Sequence, residues 1–192
     1  MKIGRGQWAM WVLVAGLAWG QAWAEEAKQM TPLDIPVIGD IHMLEVGDAA
    51  PPFTLEDLAG RAVSVGGPSS DKVHLLVFWS IFCEPCKAEM PLIQRLYEKY
   101  AGKGLEVVAV AMDGEPMRKS IEGLVKQLGF TFRVVIDKLT PDESFVVADP
   151  YGVAGTPTIY IVAQDGKIVF GEVGRTTQEH LEEAIRKALG DK

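Results

Sequence analysis

Short apolar runs alternate along the chain with segments of helical spacing, and together they predict an order of elements. Phe53-Thr54-Leu55 and Ala62-Val63-Ser64-Val65 flank Asp57-Leu58-Ala59-Gly60, which predicts a β-hairpin. Gly66 to Asp71 reads as a loop. Val73 to Ser80 (VHLLVFWS) is a nearly continuous apolar run with β-branched and aromatic members, the pattern of a strand buried on both faces. From Glu84 to Tyr100 the positions Met90, Ile93, Leu96, Tyr97 and Tyr100 recur at helical spacing, with Pro91 expected to kink the helix. Leu105 to Met112 predicts a second buried strand, and Met117 to Leu128 a helix ended by Gly129. Phe132 to Ile136 is the third strand candidate, and a short helix is expected through Ser144–Asp149.

Thr158 to Ala163 and Lys167 to Glu172 form a hairpin across Gln164-Asp165-Gly166. An amphipathic helix over Thr177–Leu189 closes the chain, with Leu181, Ala184, Ile185, Ala188 and Leu189 inward. Strand, crossover helix and parallel strand imply an α/β sheet covered on both faces, to which the last hairpin adds antiparallel strands.

The N-terminus breaks this pattern. Lys2 and Arg5 precede an apolar run from Trp8 to Trp19, then Ala22-Trp23-Ala24 before Glu25-Glu26. A basic start, a short apolar run and a small-x-small triplet read as a Sec-type signal peptide cleaved after Ala24. The run is short for a membrane span, which needs about 20 residues, and an uncleaved membrane anchor is the alternative. No cysteine lies near the cleavage point, which excludes a lipoprotein. Residues 25–45, with Pro32, Pro36 and Gly39, read as an extended lead-in, and 46–190 as one domain.

Composition sharpens the assignment. The net charge is −7, and removing residues 1–24 takes away two basic residues and no acidic one. An acidic chain without a basic run is a poor candidate for nucleic acid. Four of the five tryptophans leave with that segment, so only Trp79 remains, just ahead of the cysteines.

The chain has two cysteines, in Cys83-Glu84-Pro85-Cys86, where a buried strand ends and a helix opens. Unpaired amides of a first helical turn stabilise a thiolate and lower its pKa, which favours Cys83 as a nucleophile. Cys86 lies within disulfide reach, and Pro85 removes an amide that the first turn leaves unpaired. A staple closing a loop of about 4 residues constrains the unfolded chain by only about 2 kcal/mol, less than the roughly 3 of a 15-residue loop. Zinc needs four ligands, whereas His42, His74 and His180 are scattered and no second cysteine pair exists. A redox-active dithiol is the favoured reading. Glu89, three residues after Cys86, can share its helix face and exchange the proton that Cys86 must move. Glu84, between the cysteines, reads as a solvated residue. Pro157, in Gly155-Thr156-Pro157-Thr158, is either an ordinary turn proline or a cis proline beside the dithiol.

The segment from Phe78 to Pro91 (FWSIFCEPCKAEMP) resembles the active-site segment of the TlpA/ResA-like thioredoxins. Tyr151 to Thr158 and Asp165 to Val169 resemble that family's cis-proline segment and following hairpin, and Val46 to Phe53 its N-terminal extension. The resemblance covers roughly residues 46–189. It implies a thioredoxin fold, with a central mixed sheet flanked by helices and an N-terminal β-hairpin extension. It implies Cys83 as attacking nucleophile, Cys86 as resolving thiol and Glu89 as the acid assisting them. Thr156, Pro157, Trp79 and Phe82 would then contact the client, with no bound cofactor or metal. Such proteins are usually extracytoplasmic reductants of client disulfides, recharged by a membrane electron carrier of the DsbD/CcdA type, and serve cytochrome c maturation or oxidase assembly. Two departures stand out: Phe82 replaces the tryptophan that many thioredoxins carry, and Thr158-Ile159-Tyr160 lacks the Glu often found after this proline in cytochrome c maturation specialists.

Two other chemistries fit the same residues. A peroxiredoxin-like peroxidase shares the lead-in and the strand-then-cysteine layout, but carries a Thr where Ser80 stands. A periplasmic copper(I) chaperone would use the dithiol as a soft ligand pair, with Met90 nearby in sequence.

Overall fold

The computed structural model describes residues 42–190. The expected targeting segment over 1–24 and the lead-in through residue 41 lie outside the described residues. Strands β1 (Phe53–Glu56) and β2 (Ala62–Val65) pair antiparallel as the expected hairpin. β3 (Val73–Trp79), β4 (Leu105–Ala111), β5 (Arg133–Ile136), β6 (Thr158–Val162) and β7 (Ile168–Val173) form a five-stranded sheet in the order β5-β4-β3-β6-β7. β3, β4 and β5 run parallel, while β6 and β7 are antiparallel to their neighbours, so the sheet is mixed. Helices α1 (Glu84–Tyr100), α2 (Arg118–Leu128) and α3 (Gln178–Ala188) flank it.

Every residue of β3 is buried, because this strand lies in the middle of the sheet with a core on each face. Val73, Leu75, Val77 and Trp79 point to one side, where they meet Met90 and Ile93 of α1, Ile121 of α2 and Leu181 of α3. Leu76 and Phe78 point to the other, against Val108, Tyr151, Tyr160 and the hairpin residues Leu55, Val63 and Val65. Burying one such side chain contributes about 1.5–3 kcal/mol. The helices share one face for a topological reason. The crossovers β3-α1-β4 and β4-α2-β5 step the same way across the sheet, and right-handed crossovers then put both helices on the same side. The hairpin and the 145–153 segment close the opposite face.

The sheet edges are covered locally. Leu58 donates its N–H to the Val134 carbonyl at 3.0 Å on the β5 side, and Ile168 donates to Asp48 at 2.9 Å on the β7 side. Such pairing blunts edges that would otherwise template association. Gly152 marks where the lead-in crosses the sheet's tyrosine-rich face. Its φ is +63°, and a Cβ there would sit 1.9 Å from the His42 carbonyl oxygen, so no larger residue fits. Among the described residues no helix is long and apolar enough to cross a membrane.

α1 runs from Glu84 to Tyr100 with Pro91 inside it, where the ring replaces the N–H that would have bonded the Lys87 carbonyl. One expectation changes. The short helix expected through Ser144–Asp149 is instead a series of turns. The reason is the fully buried Asp137, whose carboxylate accepts N–H groups from Lys138 at 2.8 Å, Val147 at 3.0 Å and Ala148 at 2.8 Å. A tertiary acceptor thus takes the amides that a helix would have satisfied internally. Burial raises the Asp137 pKa, opposed by those N–H groups.

Asp137→Ala strands these buried amides, and the expected loss of unfolding free energy is about 2–5 kcal/mol by urea denaturation. Asp137→Asn, which keeps one acceptor oxygen, is expected to lose less.

Candidate active site

β3 ends at Trp79 and α1 begins at Glu84, so four residues carry the chain from the centre of the sheet to a helix N-terminus. Cys83 is the N-cap of α1, with φ −86° and ψ 101°, and its sulfur accepts the Cys86 N–H at 3.2 Å. This is the position where unpaired amides and the helix dipole stabilise negative charge. Pro85 lies in the first turn, as expected from its missing N–H. Cys83 and Cys86 are joined as a disulfide. Cys83 is half-buried whereas Cys86 is only 1% exposed, so a large partner can reach the first sulfur and not the second.

The Thr156–Pro157 peptide is cis, which resolves the two readings of Pro157. The Thr156 carbonyl oxygen lies 3.6 Å from Cys83 Sγ. In the disulfide no S–H exists to donate, so this is a contact and becomes a hydrogen bond only when Cys83 is a thiol. Pro157 itself is buried, and its carbonyl accepts the Gly174 N–H at 2.7 Å. That bond ties the proline loop to the strand end leading towards Glu89.

Glu89 is 3% exposed, on the buried face of α1 that also carries Cys86. Its Oε1 accepts the Thr176 N–H at 2.9 Å, while Oε2 is buried and has no hydrogen-bond partner. Burial pushes its pKa above the ordinary carboxylate value, and the nearby Glu172 charge adds to this. The Thr176 N–H and the Arg175 charge pull the other way. Glu84, by contrast, is exposed and pairs with Lys87 on the helix surface, as its place in the sequence suggests.

The other expected contact residues divide. Phe82 is 72% exposed beside the nucleophile, and Thr156 is half-buried at the sulfur. Trp79 does not fit the expected role. It is fully buried and belongs to the core beneath the helices, because its odd-numbered place on β3 turns it to that face. A client cannot touch it here.

Further polar residues were missed from sequence. Asp113 follows β4 and accepts the Ser80 hydroxyl at 2.6 Å and the Ile81 N–H at 3.1 Å. In sequence Ser80 stands out only against the peroxidase threonine, and Asp113 belongs to no motif. The available signal was a carboxylate just beyond the buried strand adjacent to β3. Thr176 and Arg175 carry no recognisable pattern. A groove of about 450 Å³ between β7 and α3, lined by Val169, His180 and Lys187 among others, contains none of these groups.

The chain matches the Redoxin family over residues 45–189. Thiol-disulfide oxidoreductase ResA of Bacillus thuringiensis (strain Al Hakam) is 34% identical over 148 residues, covering 77% of this chain and 81% of that protein. ResA of Oceanobacillus iheyensis is 36% identical, over 74% of this chain and 72% of that one. The crystal structure of the thioredoxin domain of a thiol-disulfide oxidoreductase from Bacteroides vulgatus superposes with a TM-score of 0.64 at 27% identity, covering 76% of this chain and 99% of that one. With this fold, these identities and this coverage, the chain belongs to the ResA-like thiol-disulfide oxidoreductases of the thioredoxin family.

Proposed function

We propose that the protein is an extracytoplasmic reductant of client disulfides, working through Cys83 and Cys86. The Cys83 thiolate attacks one sulfur of a client disulfide, forming a mixed disulfide and releasing the first client thiolate. Cys86 gives its proton to the Glu89 carboxylate and attacks Cys83 Sγ. The second client thiolate leaves, and the enzyme keeps the Cys83–Cys86 disulfide. Two electrons have passed to the client, whose thiolates take up the protons.

The observation that carries the direction is the buried Glu89 on the Cys86 face of α1. Strongly oxidising members of this chemistry stabilise their reduced form through a low thiol pKa. A buried carboxylate beside the thiols opposes that stabilisation. It also supplies a proton acceptor whose raised pKa lies closer to neutrality than an exposed glutamate's. Phe82 and the Thr156 backbone form the surface a client segment meets.

The residue 1–24 pattern supports export, and in that compartment a membrane carrier of the DsbD/CcdA type would return electrons to the disulfide. Cytochrome c maturation or oxidase assembly is the process such a reductant would serve. The Thr158-Ile159-Tyr160 departure counts against the first.

Cys86→Ala is expected to accumulate covalent client complexes that dithiothreitol releases, visible on non-reducing gels of periplasmic extract. An absence of complexes, together with failure of the reduced wild type to reduce a protein disulfide, overturns the proposal. The Cys83/Cys86 couple, equilibrated with glutathione, is expected nearer thioredoxin's roughly −270 mV than DsbA's roughly −120 mV.

Glu89→Gln is expected to slow mixed-disulfide resolution by at least about tenfold near neutral pH, read by stopped-flow. Its stability should move the other way. A folded-state pKa above 4.5 means the folded protein binds the proton more tightly than the unfolded chain. The stabilisation is full below the ordinary value and is lost as pH rises through the raised one. The glutamine variant should therefore melt above the wild type at neutral pH and lack this slope.

A further inference from the structure

The four residues between β3 and α1 are held by Ser80 and Asp113. Ser80 donates its O–H to Asp113 Oδ1 at 2.6 Å, and its Oγ accepts the Phe82 N–H at 3.1 Å. The Ser80 carbonyl accepts the Cys83 N–H at 3.1 Å. The other oxygen of Asp113 takes the Ile81 N–H at 3.1 Å. Thus the backbone N–H groups of Ile81, Phe82 and Cys83 all end on Ser80 or Asp113. The base of this assembly is rigid, since the next residue after β4, Met112, donates its N–H to the Trp79 carbonyl at 2.9 Å. Ser80 and Asp113 are 33 residues apart and meet because β3 and β4 are parallel neighbours in register, Trp79 opposite Ala111.

Core packing alone does not account for these polar bonds. Ile81 packs against the helix-side core, but Ser80 and Asp113 are half-buried and Phe82 stands 72% exposed. A short loop with one apolar anchor would otherwise sample several conformations, each placing Cys83 Sγ differently relative to the Cys86 N–H and the Thr156 carbonyl. Catalysis is sensitive to such displacement.

We propose that Ser80 and Asp113 are positioning residues for the nucleophile: they clamp the 80–83 backbone so that Cys83 Sγ stays at the mouth of α1. The pair acts through the backbone and touches no client. Its effect is on the attacking sulfur in either direction of electron flow. It therefore rests on the thiol exchange of the family, and not on the reductive role proposed above.

The decisive readout is the reactivity of reduced Cys83, measured in the Cys86→Ala background as the rate of iodoacetamide alkylation against pH. With the clamp released, the sulfur is held less well against the first-turn amides and the thiolate loses their support. Ser80→Ala should move the alkylation profile alkaline by at least about half a pH unit and slow reaction with glutathione disulfide at neutral pH by about threefold or more. Ser80→Thr, which restores the hydroxyl, should recover most of that loss. In an Asp113→Asn background, Ser80→Ala should add little further change, because coupled groups are not additive. Thermal melts of each variant separate a loosened loop from a failed fold. An unchanged profile in Ser80→Ala, or an equal shift with and without Asp113, overturns the proposal. Those results would leave the reductive role standing, just as a failed client trap would leave this assignment untouched.

Discussion

A central strand buried on both faces can give way to a loop only where it runs out of the sheet, and β3 imposes that constraint on the whole active site. Its core contacts alternate between the helix-covered face and the hairpin-covered face, so its register cannot slip by one residue without exposing both sets. Because β4 lies parallel beside it, the chain must cross over through α1, and the crossover begins at once. Cys83, four residues past the strand end, is the residue that caps this helix. Its chemistry follows from that position, since the same amides that need a cap are the ones that stabilise a thiolate.

Three carboxylates around this end of the molecule show how burial and partners divide structure from chemistry. Asp137 is fully buried and meets the N–H groups of Lys138, Val147 and Ala148, so its charge is spent on holding a loop. Asp113 is half-buried and binds the approach to Cys83. Glu89 is almost as buried as Asp137, yet one of its oxygens has no partner. A buried polar atom left unsatisfied is costly, and such groups persist where they do something else. In Glu89 the free oxygen belongs to the carboxylate that shares a helix face with the enclosed sulfur.

The surroundings of the reactive sulfur are assembled from distant parts of the chain. Cys83 is half-buried, follows an exposed aromatic ring and lies 3.6 Å from the Thr156 carbonyl oxygen. Thr156 and Phe82 come from segments far apart in the chain. The antiparallel register of β3 with β6, Phe78 opposite Thr158, brings them together.

The apolar pattern was enough for β3, β4, both hairpins and the closing helix, because these elements bury continuous or strictly alternating residues. The CxxC spacing likewise sufficed to place Cys83 at a helix start, since capping is local physics. Elsewhere local pattern failed for identifiable reasons. The 144–149 turns look helical until Asp137 takes their amides from across the fold, and Trp79 looks like a contact residue until its side of the strand is known. Ser80 and Asp113 are ordinary polar residues in sequence, and the buried state of Glu89 depends on the Thr176 segment folding over it. Chain order thus carried the reactive pair and its helix. Long-range packing alone chose which polar groups surround that pair, because their partners lie tens of residues away and their energies depend on burial that no local window contains.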